Sequence, residues 1–446
     1  MILKLLFFTL AIGTLLVFYV NNKKLLSPTL ILFAMFTLSI FFLIINRDFS
    51  LLEISLKTYL VIITSLVAWG FGEILSISVY SKKKKPILSL APKYMILPSN
   101  RILFISCLII FGVAVSEYYR FVNIGKSLGG DNIVSYYILV RDHVVGLQNN
   151  NIQANKFSAT RTIVALITLA RIITYYFIVI FIFNKYFHNI KKYKYLIPIV
   201  FLFPILFFTT SRSSFLELFS FVFLTTLLIR SQSKGWGVGS LKILRKMLVP
   251  LLILIIAFFA IGFIRSNGIG TMISRDMFNN MSKYFGSSII GLDILLNSRI
   301  DFSGNIAEHT IPILYAFFKK IGFVFDTLPL HSDFFYLGNG QSSNIYTALR
   351  KPILDFGILG MLATRVCMGF IYGLIYRYYI NNVNNPYSIK AFVIFPLLYF
   401  PIVMYIFSDL FYYFTKFDFF ETLLYLVIID KLIIKRSLVF NVKTEI

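Results

Sequence analysis

The sequence predicts an all-α, polytopic integral membrane protein with about eleven transmembrane helices and a large outward-facing loop that carries short interfacial helices. Hydrophobic residues make up 58% of the 446 residues and charged residues 14%, against about 45–50% and about 25% in a typical soluble domain. A polar surface cannot cover such a chain in water, so lipid is its natural solvent. The positive charges are concentrated in loops that alternate along the chain, as expected of a multi-pass protein.

Each predicted span is an apolar run near the length of about 20 residues that a helix needs to cross the hydrocarbon core. The first run has the length of a signal peptide, but it has no small-residue cleavage site and its lysines follow it, so we expect a retained span with its N-terminus outside. The whole chain, 1–446, is then one polytopic domain. The predicted spans are 2–20, 28–45, 57–80, 102–122, 159–183, 195–210, 214–229, 247–264, 353–376, 390–407 and 419–434.

The most basic loops all fall on one side of the membrane when the spans are drawn in this way. The chain carries 43 Lys and Arg against 19 Asp and Glu, a net charge of +24. By the positive-inside rule the basic side is cytoplasmic. Because the excess charge is spread over orienting loops, we expect no nucleic-acid partner. These loops are 81–101, 184–194, 230–246 and the C-terminal tail.

Two longer segments, 123–158 and 265–351, fall on the outer side. They contain eight of the 19 acidic residues and three of the four histidines. Within the longer loop, 286–296 and 310–325 are apolar with scattered charges. Both suit helices that lie in the membrane interface, and a re-entrant segment or an additional span is the alternative.

Ionisable residues inside predicted spans need partners, because an unpaired charge in lipid is costly. Arg171 lies deep in its span, and we expect an internal ion pair with Glu217 or Glu73. Arg161 lies near the outer end of the same span. Substrate contact and a structural role are both open for it.

Two arginines at outer helix ends predict an anion site. Arg212 lies in the short hairpin FFTTSRSSFLELF, where neighbouring serines can cap the following helix and its N–H groups point outward. Arg265 ends the next outward span. A guanidinium at such a position binds phosphate or pyrophosphate well. The alternative is that both arginines extend their charges from the span ends into water.

Further candidates lie at other outer helix ends. Glu117 and Arg120 in EYYR are expected to pair with each other or to face solvent. Asp355 lies one turn inside a span, where a carboxylate favours the helix N-terminus, so helix capping competes with a functional role. His331 and Asp333 are candidates for a general base, with ordinary surface positions as the alternative.

Several motifs of metal-dependent and nucleotide chemistry are missing from the sequence. It contains no Walker A motif, no HExxH and no DxD. Cys107 and Cys367 lie in apolar stretches, and we expect inert thiols rather than a metal site or a disulfide. We therefore predict no metal and no cofactor. Arginines can stabilise a departing pyrophosphate by themselves.

The chain resembles the O-antigen polymerases (Wzy) of the oligosaccharide repeat unit polymerase family. The resemblance rests on the number of spans, on the large outer loop late in the sequence, and on two short motifs. NIYTALRKPILDFGILG is similar to the N-x-Y-T…D-F-G…G pattern that these proteins show after that loop, and the S-R-S turn at 211–213 is similar as well.

The resemblance implies a GT-C-like membrane fold and a metal-independent glycosyltransferase of the bacterial inner membrane. Such enzymes transfer a growing glycan from undecaprenyl pyrophosphate to the non-reducing end of a lipid-linked repeat unit at the periplasmic face. The partners implied are the lipid-linked donor and acceptor, membrane lipids and a chain-length regulator protein. The N-terminus would be periplasmic and the C-terminus cytoplasmic.

The family's outer-loop arginines correspond to Arg212, Arg265 and Arg350, which would hold the donor pyrophosphate. His331 would take the proton from the acceptor hydroxyl, with Glu117 or Asp333 as alternatives. The residues expected to contact substrate are Glu117, Arg120, Arg161, Asn344, Tyr346 and Asp355.

Three other functions compete with this prediction. An O-antigen ligase shares the topology and the donor but uses another acceptor. A flippase or transporter of lipid-linked oligosaccharide usually shows paired halves, and the sequence shows no internal repeat. A non-catalytic scaffold would leave the outward arginines at successive helix ends unexplained.

Overall fold

A computed structural model of the chain contains eight helices that are long and apolar enough to cross a membrane, within the residues that it describes. The prediction of an α-helical, multi-pass membrane protein is therefore confirmed, because in lipid a spanning helix satisfies its own backbone hydrogen bonds. The described residues are 1–46, 53–81, 94–149, 161–210, 212–234, 274–298, 307–322, 334–338, 341–381, 388–415, 417–434 and 436–440.

The eight long helices correspond to eight of the eleven predicted spans. Of the other three, the predicted span 195–210 falls on a shorter apolar helix, Tyr193–Phe208. The predicted span 419–434 consists of an α-helix followed by a π-helical turn, Asp430–Ile434. The predicted span 247–264 lies outside the described residues.

The described helices are α1 (Ile2–Val20), α2 (Pro28–Ile45), α3 (Leu56–Ser81), α4 (Asn100–Ser127), α5 (Ile133–Asn149), α6 (Arg161–His188), α7 (Ile197–Phe208), α8 (Arg212–Lys234), α9 (Ser274–Asn297), α10 (Pro312–Lys320), α11 (Arg350–Asn381), α12 (Ser388–Val403) and α13 (Phe417–Ile429). Short 3-10 segments cover Tyr193–Leu196, Met404–Ile406 and Phe411–Thr415. Two antiparallel strand pairs complete the described structure: β1 (Tyr94–Ile96) with β4 (Leu438–Phe440), and β2 (Phe335–Gly338) with β3 (Gln341–Ser343).

The chain divides into two compact units. Unit 1 contains α1 to α3, α9 to α11 and the β2–β3 hairpin, and it comprises Met1–Pro86, Met272–Asn381 and Tyr399–Lys416. Unit 2 contains α4 to α8 and α13 and comprises Ile87–Thr271, Asn382–Leu398 and Phe417–Ile446.

Glycines allow α3 and α11 in unit 1 to approach each other closely. Gly369 faces the carbonyl oxygen of Trp69, and Gly72 faces that of Val366, so that a Cβ at either glycine would overlap backbone atoms of the other helix. Gly373, one turn further along α11, faces the Ser76 side chain in the same way. Small residues at such spacing are typical of tightly packed membrane helices, because they bring the two backbones together.

Helix α11 is interrupted at Gly357, whose backbone angles are φ 68° and ψ −174°. This conformation is essentially confined to glycine, because a Cβ would clash with the neighbouring peptide. The backbone conformation at this position therefore explains why the D-F-G motif ends in glycine. The break separates a short N-terminal segment of α11 from the long apolar part that packs on α3.

The two predicted interfacial helices behave differently. Residues 286–296 belong to α9, and the Ile289 and Leu292 side chains are fully buried. The Ser39 hydroxyl of α2 donates to the Phe285 carbonyl at 2.7 Å. This part of α9 thus packs against α2 instead of lying at the surface, because its small residues permit close contact.

Residues 312–320 form α10 within the other predicted interfacial segment. Three large apolar side chains along this segment, Leu314, Phe317 and Ile321, are exposed. The spacing places them on one helical face. Such an apolar stripe on a short helix is typical of interfacial helices, and the position of α10 at the membrane interface stays a prediction.

Helix α6 of unit 2 is largely buried, and α8 and α13 pack against it. The Tyr175 ring of α6 stacks on Phe221 of α8 with 4.0 Å between ring centroids. The Tyr176 hydroxyl donates to the Leu426 carbonyl of α13 at 2.9 Å. Near the other end of α6, the Asn184 amide bonds both backbone groups of Ile96 in β1. Buried polar groups of α6 are thus used to hold its neighbours in place.

Candidate functional site

The chain leading into α11 is fastened at three points in unit 1. The Ser343 hydroxyl at the end of β3 lies 2.9 Å from the Ser287 hydroxyl of α9. The Tyr346 ring packs against Phe335 of β2 with 4.8 Å between centroids. The Ala348 amide donates to the Tyr405 carbonyl at 2.8 Å. These contacts fix the position at which α11 begins.

Arg350 and Lys351 are the first two residues of α11. The Arg350 guanidinium lies over the Tyr346 ring, 4.3 Å from its centroid, which is a cation–π contact that holds the side chain beside the helix end. Two cations at a helix N-terminus, where the helix dipole is positive, form a favourable environment for phosphate. Asn344, two residues before Tyr346, is exposed.

Asp355 holds a neighbouring turn against α11. Its carboxylate accepts hydrogen bonds from the backbone amides of His309 and Thr310, at 3.0 and 2.7 Å, and from the Thr310 hydroxyl. The turn 307–310 precedes α10, so that Asp355 joins α10 to α11. The structure thus shows a positioning role for Asp355, which is neither of the two roles that the sequence left open.

The turn held by Asp355 brings His309 close to the two cations. The His309 side chain is half-buried. Burial lowers the pKa of its imidazole below the ordinary value, with the charges of Arg350 and Lys351 acting in the same direction and the nearby carboxylates, Asp355 first, opposing them. The imidazole is therefore neutral at pH 7 and able to accept a proton.

A buried polar group lies further along α11 in the same unit. The Arg365 side chain is 2% exposed, donates to the Tyr405 hydroxyl at 2.9 Å and lies over the rings of Tyr405 and Phe411. Asp409 accepts from the Phe411 amide at 3.0 Å. Burial raises the pKa of the Asp409 carboxyl, and the positive charges of Lys351 and Arg365 oppose that shift.

These residues define the α11 N-terminal cluster. It combines cations at a helix start, a neutral histidine, and carboxylates that are engaged with the protein itself. Among the described residues, no group of three or more His, Cys, Asp or Glu side chains is arranged to hold a metal ion. The members of the cluster are Glu308, His309, Arg350, Lys351, Asp355, Arg365 and Asp409.

Unit 2 contains several of the other predicted site residues. Arg161 forms ion pairs with Asp418 and, at 2.6 Å, with Glu421, and it lies over the Phe417 ring. In the structure its guanidinium thus joins the start of α6 to α13. This geometry accounts for the arginine without a substrate.

The deep ion pair of α6 is confirmed. Arg171 pairs with Glu217 of α8 at 3.4 Å and donates to the Ser214 hydroxyl at 2.9 Å. The Tyr175 hydroxyl donates to the other oxygen of Glu217 at 3.0 Å. Glu73, the alternative partner, lies in unit 1 and accepts hydrogen bonds from residues of the α1–α2 turn and α2.

The pair of Glu117 and Arg120 is confirmed as well, with 2.8 Å between their charged atoms. The Glu117 side chain is fully buried in this pair. A carboxylate that is already paired and buried is a poor candidate for a general base.

Four predicted site positions are described only in part or not at all. Arg212 is the first residue of α8, but the structure does not describe its side chain. Arg265, His331 and Asp333 lie outside the described residues. The structure thus brings together Arg350, Tyr346 and Asp355, and it places Glu117, Arg120 and Arg161 in unit 2.

The sequence analysis did not assign a role to His309 or Asp409. A local signal exists for the first of them, since Thr310 and Pro312 mark the start of a helix and place His309 in the preceding turn. No local signal predicts the contact with Asp355, 46 residues away. Asp409 follows an apolar run with Ser408 between them, and its surroundings include Lys351 and Arg365, which are distant in the chain.

The fold and these polar clusters define a multi-pass α-helical membrane protein with a cationic site at the start of one long helix. Comparison of the chain with protein-family models, with curated proteins and with solved structures found no match.

Proposed function

We propose that the protein is an O-antigen polymerase. It would transfer a growing glycan from undecaprenyl pyrophosphate to the non-reducing end of a lipid-linked repeat unit at the periplasmic face of the bacterial inner membrane. The observation that supports this proposal most directly is the combination of Arg350, Lys351 and a neutral His309 at the start of α11. The similarity of NIYTALRKPILDFGILG to the polymerase pattern covers the same stretch of chain.

The cations suit a reaction in which a pyrophosphate departs. As the bond between the anomeric carbon and the phosphate oxygen breaks, negative charge grows on the leaving pyrophosphate. A guanidinium placed for bidentate hydrogen bonding and an ammonium beside it stabilise that charge, most effectively where water is partly excluded. Arg350 and Lys351 take these roles in the proposal, and phosphate binding by Arg212 and Arg265 stays a prediction from the sequence.

The proton of the acceptor hydroxyl needs a base. In the proposal His309 accepts this proton while the hydroxyl oxygen forms the new bond to the anomeric carbon, so that the electron pair of the broken bond leaves with the pyrophosphate. His309 is chosen over Glu117 because Glu117 is buried in an ion pair. His331 and Asp333 remain alternatives outside the described residues.

The proposal also includes the number and orientation of the spans, which goes beyond the eight long helices of the structure. Eleven spans in a GT-C-like fold place the N-terminus in the periplasm and the C-terminus in the cytoplasm, with the basic loops inside. The start of α11 then faces the periplasm, where the lipid-linked donor and acceptor are available. A chain-length regulator protein is a proposed partner.

A ligase is the second candidate, because it uses the same donor and the same kind of anion site. The two functions differ in the acceptor alone. The contacts of the α11 N-terminal cluster do not favour one acceptor over the other, and the polymerase is preferred on the sequence pattern around α11. A flippase has less support, since the sequence shows no internal repeat.

Deletion of the gene separates these functions when the surface lipopolysaccharide is resolved on a gel. The polymerase proposal predicts a lipid core that bears a single repeat unit. A core without any repeat unit indicates a ligase or a flippase instead. If the long chains are unchanged after deletion, the protein has no role in the assembly of O-antigen.

The pH dependence of polymerisation tests His309 as the base. Because the pKa of His309 is lowered below 6.5, the imidazole stays neutral at pH 7, and the rate is expected to fall only as the pH drops through that lowered pKa. His309→Gln should reduce the rate about 10²-fold or more, and its residual rate should lose the pH dependence. The measurement is the rate of chain extension in membranes with lipid-linked repeat units, from pH 5 to 8.

His188→Gln is the matched control, because glutamine can also hydrogen-bond the Tyr94 carbonyl that His188 contacts at 2.8 Å. The control should keep the rate and the pH profile of the wild-type protein. A His309→Gln variant with the wild-type profile would rule out His309 as the base.

A further inference from the structure

Helices α4 and α7 of unit 2 pack side by side, and two contacts define the surface between them. The Lys194 ammonium, just before α7, donates to the side-chain oxygen of Asn100, the first residue of α4, at 2.7 Å. Further along both helices, the Phe111 and Phe201 rings meet edge to face with 5.9 Å between centroids. Asn100 and Phe111 are separated by about 16 Å along a helix. The two helices therefore run in the same direction, and we call the surface between these two contacts the α4–α7 seam.

The α4–α7 seam is lined by exposed apolar side chains. Phe104 and Leu108 lie on the same helical face as Phe111, because helix neighbours recur every three or four residues. Their side chains are 68% and 57% exposed. Ile197, four residues before Phe201 on α7, is exposed as well. In a chain whose solvent is lipid, such a face is covered by acyl chains.

The end of the seam at Lys194 is cationic. Lys192 is exposed and Lys194 is half-buried. Tyr193, between them in the chain, is 66% exposed, and its ring packs against Phe181 with 5.6 Å between centroids. The Lys185 ammonium lies 5.7 Å from the centroid of the same Phe181 ring. Tyrosine and lysine side chains together at the ends of apolar helices are typical of the headgroup region of a membrane.

No carboxylate neutralises this end of the seam within the described part of the chain, since none of its three lysines forms an ion pair there. The hydrogen bond to the neutral Asn100 amide occupies one of the three N–H donors of the Lys194 ammonium. The stretches 74–116 and 143–216, which contain the whole seam, include no Asp or Glu. Asp430, which follows α13, already pairs with a lysine of α12. The charge at this end is therefore available to an anion from outside the chain.

We propose that the α4–α7 seam binds an anionic phospholipid. Lys192 and Lys194 hold its phosphate, and an acyl chain lies along Phe104, Leu108 and Ile197. Basic sites between membrane helices on the positively charged side of a protein bind phospholipid headgroups in this way. A second copy of the chain fits this surface less well, because it carries the same positive charge. The site lies in unit 2, apart from the α11 N-terminal cluster of unit 1, and does not depend on the proposed polymerase activity.

Thermal unfolding of the full purified chain in a neutral detergent tests the site, with anionic phosphatidylglycerol or zwitterionic phosphatidylcholine added in steps. Phosphatidylglycerol is expected to raise the Tm in a saturable manner, and phosphatidylcholine is not. Lys194→Gln should weaken the apparent affinity for phosphatidylglycerol about fivefold, the effect of one cation near a lipid surface. Lys194→Arg should keep the affinity. Lys192→Gln changes an exposed side chain, so a similar weakening in this variant reports loss of charge and not loss of fold.

Lys431→Gln is the matched control, because Lys431 is an exposed lysine of unit 2 that follows α13, and α13 packs on α6. It should leave the affinity unchanged. An equal weakening by Lys431→Gln would show general surface attraction and would overturn the proposal, as would wild-type affinity in both Lys194→Gln and Lys192→Gln. An equal rise of the Tm with phosphatidylcholine would exclude recognition of the phosphate charge. The same rise with inorganic phosphate alone would assign the cations to a free anion and overturn the lipid site.

Discussion

Replacement of Arg350 by alanine is expected to lower the rate of polymerisation by about 10²- to 10³-fold, the usual effect of removing one donor that stabilises charge in a transition state. The guanidinium stands at the start of α11 over the Tyr346 ring, and no other described arginine shares that position. Its loss leaves Lys351 as the remaining cation at the start of α11 to stabilise the departing pyrophosphate. The measurement is chain extension in membranes, normalised to the amount of protein present.

Two further variants sharpen this test. Arg350→Lys keeps the charge but loses the planar, bidentate geometry, so its rate is expected to lie between those of the wild type and the alanine variant. Arg101→Ala removes an exposed arginine from the start of α4 and should leave the rate unchanged. If Arg350→Ala extends chains at the wild-type rate, the α11 N-terminal cluster is not the pyrophosphate site.

Replacement of Gly369 by alanine is expected to reduce the stability of the membrane domain by about 1–3 kcal/mol, the usual cost of an added methyl group in a tightly packed interface. The new Cβ would overlap the Trp69 carbonyl and backbone of α3, so that the two helices have to separate. The expected result is a lower Tm in detergent and less protein in the membrane.

Gly112→Ala is the control for this variant, because a Cβ at Gly112 in α4 meets no atom within 4 Å. It should be neutral or stabilising by up to about 1 kcal/mol, since alanine favours a helix. Equal Tm values for the two variants would mean that α3 and α11 do not approach each other at these glycines.

The membrane class and the short-range ion pairs could be predicted from the sequence for physical reasons. Long apolar runs have few alternatives to spanning helices. The pairing of Arg171 with Glu217 follows from the cost of an unpaired charge in lipid. The pairing of Glu117 with Arg120 follows from their spacing of three residues on one helix.

The contacts of the α11 N-terminal cluster were not predicted, because they join segments that are distant in the chain. Asp355 was interpreted through its own helix, while its hydrogen bonds go to a turn 46 residues earlier. The same holds for 286–296, whose burial depends on Leu43 and Ser39 of α2. A pattern within one segment cannot identify the surface that will cover it.

The break at Gly357 has a mechanical consequence for the proposed site. The seven residues from Arg350 to Phe356 form a helical segment about 10 Å long, which is joined to the rest of α11 at a single non-helical residue. The position of Arg350 is therefore determined by contacts of the β2–β3 hairpin, of the Tyr405 carbonyl and of the turn that Asp355 holds. The part of α11 beyond the break is the segment long and apolar enough to cross the membrane. A rotation of this segment therefore does not have to change the direction of the Arg350 and Lys351 side chains before the break.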